Sequence, residues 1–197
     1  MHINWAKRQL DLKIVYYGPP LSGKTTNLER IHARMSKLQQ TELVTLKTEG
    51  DRTLFFDFLP LEIGRIGSFQ PRINLYTVPG QSMYKDTRRI ILEGVDGIVF
   101  VADSQVTRLA DNERAFQEMK RHLQSLGQSW FGKPLVLQYN KRDAPNRVPE
   151  DILQRRLNPD KSFPHFSSVA VKGIGVIETL KEIIKLTLQS FKENALT

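Results

Sequence analysis

A glycine-rich stretch, Gly18-Pro19-Pro20-Leu21-Ser22-Gly23-Lys24-Thr25, follows directly on the apolar run 12–17. The pattern G-x-x-x-x-G-K-T between a strand and a helix is typical of a loop whose backbone N–H groups hold nucleotide phosphates. The Lys24 ammonium adds a positive charge, and the Thr25 hydroxyl is a hard oxygen ligand for Mg²⁺. The alternative is a Gly/Pro turn that fits by chance. The residues assigned to phosphate binding are Gly18, Leu21, Ser22, Gly23, Lys24, Thr25 and Thr26.

The composition favours one intracellular domain spanning residues 1–197. The chain contains no run of about 18 apolar residues, so we expect no membrane-spanning helix. It contains no cysteine, which excludes disulfides, prenylation and palmitoylation and agrees with a cytoplasmic location. The net charge is +8, but the basic residues are scattered, so we expect no nucleic-acid partner. Peripheral contact with an anionic membrane stays open.

Strands and helices alternate along the chain. Apolar runs predict strands at 2–5, 10–17, 43–46, 54–61, 73–78, 97–102 and 134–139. Helical spacing predicts helices at 24–38, 109–126 and 176–191. Segments 2–5 and 10–17 suit a small hairpin, and 54–61 with 73–78 suit an antiparallel pair. The alternation indicates an α/β fold with a mostly parallel sheet, one antiparallel strand pair, flanking helices and ligands at the carboxyl ends of the strands.

A second motif, Asn140-Lys141-Arg142-Asp143, comes just after a predicted buried strand. N-K-x-D in this position is how Ras-type GTPases recognise guanine. A carboxylate such as Asp143 can accept two hydrogen bonds from guanine, whereas adenine leaves it unsatisfied. Asn140 would tie this loop to the phosphate loop, and the stem of Lys141 would lie along the base. The alternative for the tetrapeptide alone is a surface turn with a mixed salt bridge.

A third motif, Thr77-Val78-Pro79-Gly80-Gln81, ends the strand predicted at 73–78. It corresponds to the D-x-x-G-Q segment of Ras-type switches, in which the glycine N–H meets the γ-phosphate and the glutamine orients the attacking water. We therefore assign Gly80 to nucleotide binding and Gln81 to catalysis. Thr77 stands where most such GTPases carry an Asp near Mg²⁺, so the completion of the metal site is open. The alternative for the motif is an ordinary Pro-Gly turn.

These motifs together resemble those of the bacterial MglA-type small GTPases. The similar stretches are 13–27, 52–61, 77–81, 94–104 and the N-K-R-D motif, and they cover essentially the whole chain. The resemblance implies a P-loop, Ras-like small-GTPase fold that binds GTP or GDP with Mg²⁺. The Thr of T-V-P-G-Q belongs to the family pattern. Pro20 departs from it, since the family usually has Gly there, and Pro lacks a backbone N–H.

The resemblance also assigns residues outside the phosphate and guanine motifs. Thr53 matches the switch threonine that senses Mg²⁺ and the γ-phosphate, and Arg52 matches an arginine finger that acts in cis. For Arg52 the sequence alone favours a solvated loop charge. Ala170 matches, through its backbone, the alanine of the loop behind the guanine in Ras relatives.

The resemblance implies a GTP-controlled switch in cell polarity and gliding motility. Its partners would be a dimeric, MglB-like roadblock protein that stimulates GTP hydrolysis, and polarity or motility effectors. We expect a monomer when alone, slow intrinsic turnover, and concentration at a cell pole through partners. The rival functions are a nucleotide-binding scaffold with negligible hydrolysis, which Pro20 and Thr77 favour, and a P-loop metabolic kinase, which has no use for N-K-R-D.

Overall fold

A computed structural model of the chain describes residues 2–4, 8–36, 43–46, 56–62, 64, 69–79 and 85–195. Within these ranges the strands are β1 (His2–Asn4), β2 (Gln9–Tyr17), β3 (Val44–Leu46), β4 (Phe56–Glu62), β5 (Gln70–Thr77), β6 (Gly97–Asp103), β7 (Leu135–Asn140) and β8 (His165–Ser167). The α-helices are α1 (Lys24–Met35), α2 (Lys85–Leu92), α3 (Leu109–Ser125), α4 (Glu150–Leu157) and α5 (Val176–Ala195). None of these helices is both long and apolar enough to cross a lipid bilayer.

The strands form one sheet in the order β3-β4-β5-β2-β6-β7-β8, and β1 pairs with the start of β2. The pairs from β5 through β2, β6 and β7 to β8 are parallel. The β4–β5 pair is antiparallel, as the sequence predicted, and antiparallel pairing also joins β3 to β4 and β1 to β2. The central strands β6 and β7 are buried along their whole length, because helices cover both faces of the sheet.

The core has two halves, one on each face of the sheet. Alternate residues of β2 face opposite sides, so Ile14 and Tyr16 pack with α1 and α5, whereas Val15 and Tyr17 pack with α2, α3 and α4. The fold is therefore a three-layer α/β sandwich, which confirms the predicted Ras-like architecture.

Every segment predicted as a strand or helix contains an observed element of that type, with ends shifted by a few residues. The sequence analysis did not single out α2, α4 or β8. These elements are short: α2 and α4 have eight residues each and β8 has three, so each offers too few residues for a repeating pattern to be recognised in the sequence. Tertiary packing stabilises them: Leu92 of α2 and both Leu153 and Leu157 of α4 are buried in the core.

Candidate guanine-nucleotide site

At two positions in the loop between β2 and α1, the backbone conformation and the close neighbouring atoms leave room only for glycine. Gly18 has φ +147°, and a Cβ there would lie 2.2 Å from the carbonyl oxygen of Val101. Gly23 has φ +99°, and a Cβ there would lie 2.2 Å from Nδ2 of Asn140. The two glycines of the motif thus let the loop pass close to β6 and β7 and turn into α1.

Lys24 begins α1 and is buried beneath this loop. Its Nζ donates hydrogen bonds to the carbonyl oxygens of Gly18 at 3.1 Å and Pro19 at 2.7 Å. The pKa of Lys24 is lowered to about 7, mainly by burial and also by the positive charge of Arg88, and the carboxylate of Asp57 opposes this shift. Burial disfavours the charged form of an ammonium group, and an adjacent anion stabilises that form. The position of Lys24 therefore suits a phosphate. The first turn of α1 contains no acidic residue that would compete with such an anion.

The Asn140 side chain joins three loops at the carboxyl edge of the sheet. Its Nδ2 donates to the carbonyl oxygen of Ser22 in the phosphate loop at 2.8 Å. Its Oδ1 accepts from Oγ of Ser168 at 3.1 Å and from the backbone N–H of Ala170 at 2.9 Å. Asn140 is buried, so these bonds are shielded from water. The predicted tie between the N-K-R-D loop and the phosphate loop is present.

One cavity of about 310 Å³ gathers most of the residues that the sequence assigned to the base and the neighbouring loop. Its lining consists of Leu21, Gly23, Thr26, Gln105, Asn140, Lys141, Asp143, Ala144, Ala170 and Val171. Seven of these ten are predicted nucleotide-binding residues that come from three separate parts of the sequence. Gly18, Ser22, Lys24 and Thr25 lie in the adjoining loop and first turn of α1.

Two charged pairs flank this cavity. Lys141 has φ +62°, and its Nζ lies 2.7 Å from Oδ2 of Asp103, whose side chain is buried at the end of β6. Asp143 has a side chain that is 38% exposed, and its Oδ2 lies 3.9 Å from Nζ of Lys172. The Asp103 pair holds Lys141 at the edge of the cavity, and Asp143 is also among the residues that line it.

The predicted switch residues Arg52, Thr53, Gly80 and Gln81 lie outside the described residues. Their assignments to γ-phosphate sensing, metal binding and catalysis therefore stay predictions.

A family model described as the ADP-ribosylation factor family matches residues 3–187. The chain is also 47% identical over 191 residues to the "Mutual gliding-motility protein MglA" of Myxococcus xanthus (strain DK1622), and the match covers 97% of each chain. The chain belongs to the ADP-ribosylation factor family. It is a Ras-like small GTPase of the MglA type, as its motifs predicted, and membership of a small-GTPase family implies a guanine nucleotide, and typically Mg²⁺, at this site.

The residues around Thr25 fit the Mg²⁺ ion that this family implies. Oγ1 of Thr25 donates to Oδ2 of Asp57 on β4 at 2.6 Å. Oγ1 of Thr77, at the end of β5, donates to the same Oδ2 at 2.9 Å and accepts from the backbone N–H of Asp57 at 2.9 Å. Hydroxyl and carboxylate oxygens beside a phosphate loop are the donors that Mg²⁺ prefers.

Two further residues contact the small-GTPase phosphate loop or its first helical turn, and the sequence analysis did not assign them. Asp57 accepts a hydrogen bond from Thr25. The sequence did contain a signal for this residue, because Asp57 is the single carboxylate in the otherwise apolar run 54–61. A carboxylate in a buried strand requires polar partners. Arg108, just before α3, donates from Nη2 to the carbonyl oxygen of Pro20 at 2.7 Å. Nothing local in the sequence distinguishes Arg108 from other surface arginines.

The contacts of Asn140 generate a stability prediction. Asn140→Ala should lower the free energy of unfolding of the nucleotide-free protein by about 1–3 kcal/mol, because the carbonyl of Ser22 and the N–H of Ala170 lose a buried partner. The measurement is chemical denaturation followed by circular dichroism.

The matched control is Asn146→Ala, since Asn146 is exposed in the same loop. Its unfolding free energy should stay within about 0.5 kcal/mol of the parent. Equal losses in the two variants would contradict the role given to the Asn140 side chain.

Proposed function

We propose that this small GTPase is a switch that binds GTP and GDP specifically and hydrolyses GTP when a partner protein stimulates it. The observation that carries the proposal is the 2.8 Å hydrogen bond from Asn140 to Ser22. It couples the loop suited to guanine to the loop suited to phosphates. A site that senses both ends of one nucleotide can transmit the presence of the γ-phosphate to the rest of the domain.

Each part of the site has a distinct proposed task. The backbone of the phosphate loop and Lys24 hold the phosphates, and Thr25 and Thr53 offer hydroxyl ligands to the metal. Asp143 accepts from the guanine edge, and Ala170 backs the base through its backbone. When bound, Mg²⁺ would neutralise negative charge on the phosphate oxygens.

Guanine specificity can be tested at Asp143, which lines the cavity. Asp143→Asn should weaken GDP binding by about 1–3 kcal/mol, because the amide mismatches the donors of guanine. Xanthosine diphosphate should bind better than to the parent, because its C2 carbonyl accepts from the new amide. The measurement is competition against a fluorescent GDP analogue.

Asp160→Asn is the control, because Asp160 is an exposed aspartate that does not line the cavity. It should leave both affinities at the parent values. If the parent binds ATP as tightly as GTP, guanine recognition by Asp143 is refuted.

The hydrolysis step needs groups beyond the phosphate loop. Negative charge grows on the transferring phosphoryl group, and the attacking water must be held in line with it. Lys24 supplies part of the positive field. Arg52 in cis and Gln81 are the proposed additional groups, and we infer that they come into position when an MglB-like roadblock dimer fixes their loops. The protein alone should therefore turn over slowly.

Variants at these positions test the catalytic proposal. Arg52→Ala and Gln81→Leu should each remove most of the partner-stimulated rate while GTP binding stays near the parent value, because each group acts on the transition state. An arginine finger is worth about 10³–10⁵ in rate. The measurement is single-turnover GTP hydrolysis with and without the roadblock protein.

Arg34→Ala serves as the control for Arg52→Ala, because Arg34 is an exposed arginine near the end of α1. It should keep the stimulated rate. If Arg52→Ala also keeps that rate, the finger comes from the partner or is absent. If the parent shows no stimulated turnover, the rival function, a nucleotide-binding scaffold, replaces this proposal.

The cellular role that we propose is the control of polarity and surface motility in the cytoplasm, through effectors that bind the GTP form. The support is the 47% identity to a gliding-motility protein of Myxococcus xanthus. We further propose that the chain is a monomer by itself and that partners concentrate it at a cell pole.

A further inference from the structure

We propose that Arg108 is a positioning residue: it holds the peptide between Pro20 and Leu21 in the orientation that turns the Leu21 N–H toward the nucleotide phosphates. The inference rests on the proposed guanine-nucleotide function and deepens it. It accounts for a phosphate loop that contains a leucine in a backbone conformation that leucine disfavours.

The middle of the phosphate loop is a tight turn from Pro19 to Ser22. The backbone N–H of Ser22 donates to the carbonyl oxygen of Pro19 at 3.4 Å and closes the turn. Leu21, the third residue of the turn, has φ +62°. The ring of Pro20 restricts the φ of the second residue to about −65°. The turn is therefore of type II, in which only the third residue has a positive φ.

This conformation is unfavourable for Leu21. Type II turns prefer glycine or asparagine at the third position, because a side chain with a Cβ is strained at positive φ. The side chain of Leu21 is 83% exposed, so packing does not compensate for the strain. A type I turn would relieve it by rotating the Pro20–Leu21 peptide by about 180°, and proline suits the second position of both types. Another contact must therefore stabilise the observed orientation.

Arg108 binds the group whose direction differs between the two orientations. Its Nη2 donates to the carbonyl oxygen of Pro20 at 2.7 Å. Rotation of the Pro20–Leu21 peptide would carry this oxygen to the other side of the turn and break the bond. Because the donor is charged, the bond is stronger than one between neutral groups. Arg108 thus opposes the strain at Leu21.

The orientation of this peptide decides where the Leu21 N–H points. The peptide is trans, so the carbonyl of Pro20 and the N–H of Leu21 point in opposite directions. The carbonyl faces Arg108, and the N–H therefore faces away from Arg108. No hydrogen bond among the residues that the structure describes uses this N–H. Since Leu21 also lines the candidate nucleotide cavity, its N–H is a donor suited to a phosphate oxygen.

Two carboxylates hold the guanidinium of Arg108 in place. Its Nη1 lies 2.5 Å from Oδ2 of Asp111, and its Nε lies 4.0 Å from Oδ2 of Asp103. The planar guanidinium has enough donors to serve both carboxylates and the carbonyl of Pro20. Asp103 also pairs with Lys141 of the N-K-R-D motif. Arg108 therefore joins the base loop to the phosphate loop by a path separate from that through Asn140.

The experiment measures the affinity of the protein for a fluorescent GDP analogue at a fixed Mg²⁺ concentration. Arg108→Gln should weaken binding by about 5–30-fold. Without the bond to Pro20, the strain at Leu21 makes the binding-competent orientation a minor conformation, and the apparent affinity falls with its population.

Arg114→Gln is the matched control. Arg114 lies on α3, its side chain is 75% exposed, and it pairs with the same Asp111. This variant loses the same charge and also removes an ion pair with Asp111, but it leaves the carbonyl of Pro20 bonded. Its affinity for the GDP analogue should stay within about twofold of the parent.

Leu21→Gly separates the backbone role of Arg108 from a packing role. Glycine adopts a positive φ without strain, so the orientation of the peptide no longer depends on Arg108. Adding Arg108→Gln to Leu21→Gly should therefore weaken binding by less than about threefold. If Arg108 only supported the packing of α3, its replacement would cost as much in this background as in the parent. If Arg108→Gln does not fold, Arg108→Met, which keeps the apolar stem, takes its place with the same expected loss and rescue.

The outcomes distinguish this inference from the proposed function. A loss smaller than about fivefold for the Arg108 variant, or a loss in the Leu21→Gly background as large as in the parent background, overturns the positioning role and leaves the switch proposal intact. If the parent does not bind the GDP analogue, the proposed nucleotide site itself fails.

Discussion

The buried side chain of Asn140 is the contact on which the site depends. It bonds at once to the phosphate loop, to Ser168 and to the backbone of Ala170. The phosphate loop, the loop that begins at Asn140 and the segment 168–170 are far apart in the sequence, and they meet because β2, β7 and β8 run parallel and end at one edge. Without the amide, three loops with polar backbones would have to find separate partners or water. With it, the loops form one cradle.

The same edge explains the distribution of charge in the site. Asp103 at the end of β6 pairs with Lys141, and Asp57 on β4 bonds to Thr25 and Thr77. Both carboxylates are buried, and each lies beside a residue that the motifs assign to the nucleotide. A buried carboxylate needs compensation. Here part of that compensation comes from Lys141 for Asp103, and from the hydroxyls of Thr25 and Thr77 for Asp57.

The phosphate loop also contains Pro20, at a position where the sequence resemblance predicted a glycine. Pro20 has no N–H to offer, but its carbonyl oxygen accepts from Arg108. That bond attaches the middle of the loop to the segment before α3, whereas the bonds from Lys24 to the carbonyl oxygens of Gly18 and Pro19 attach the start of the loop to α1. The loop is therefore held at several points before any ligand binds, which lowers the entropy that binding must cost.

Local sequence signals determined much of this protein. The phosphate motif, the N-K-R-D motif and the strand–helix alternation specify the α/β class, the guanine-nucleotide site and the family, because each depends on residues close together in the chain. The short elements α2, α4 and β8 did not follow from periodicity, since packing stabilises them. Only the tertiary structure decided that Asp57 meets Thr25 and Thr77, which lie 32 and 20 positions away. Those contacts depend on the register of β4 against β5, and a slip of one residue would turn Asp57 to the other face.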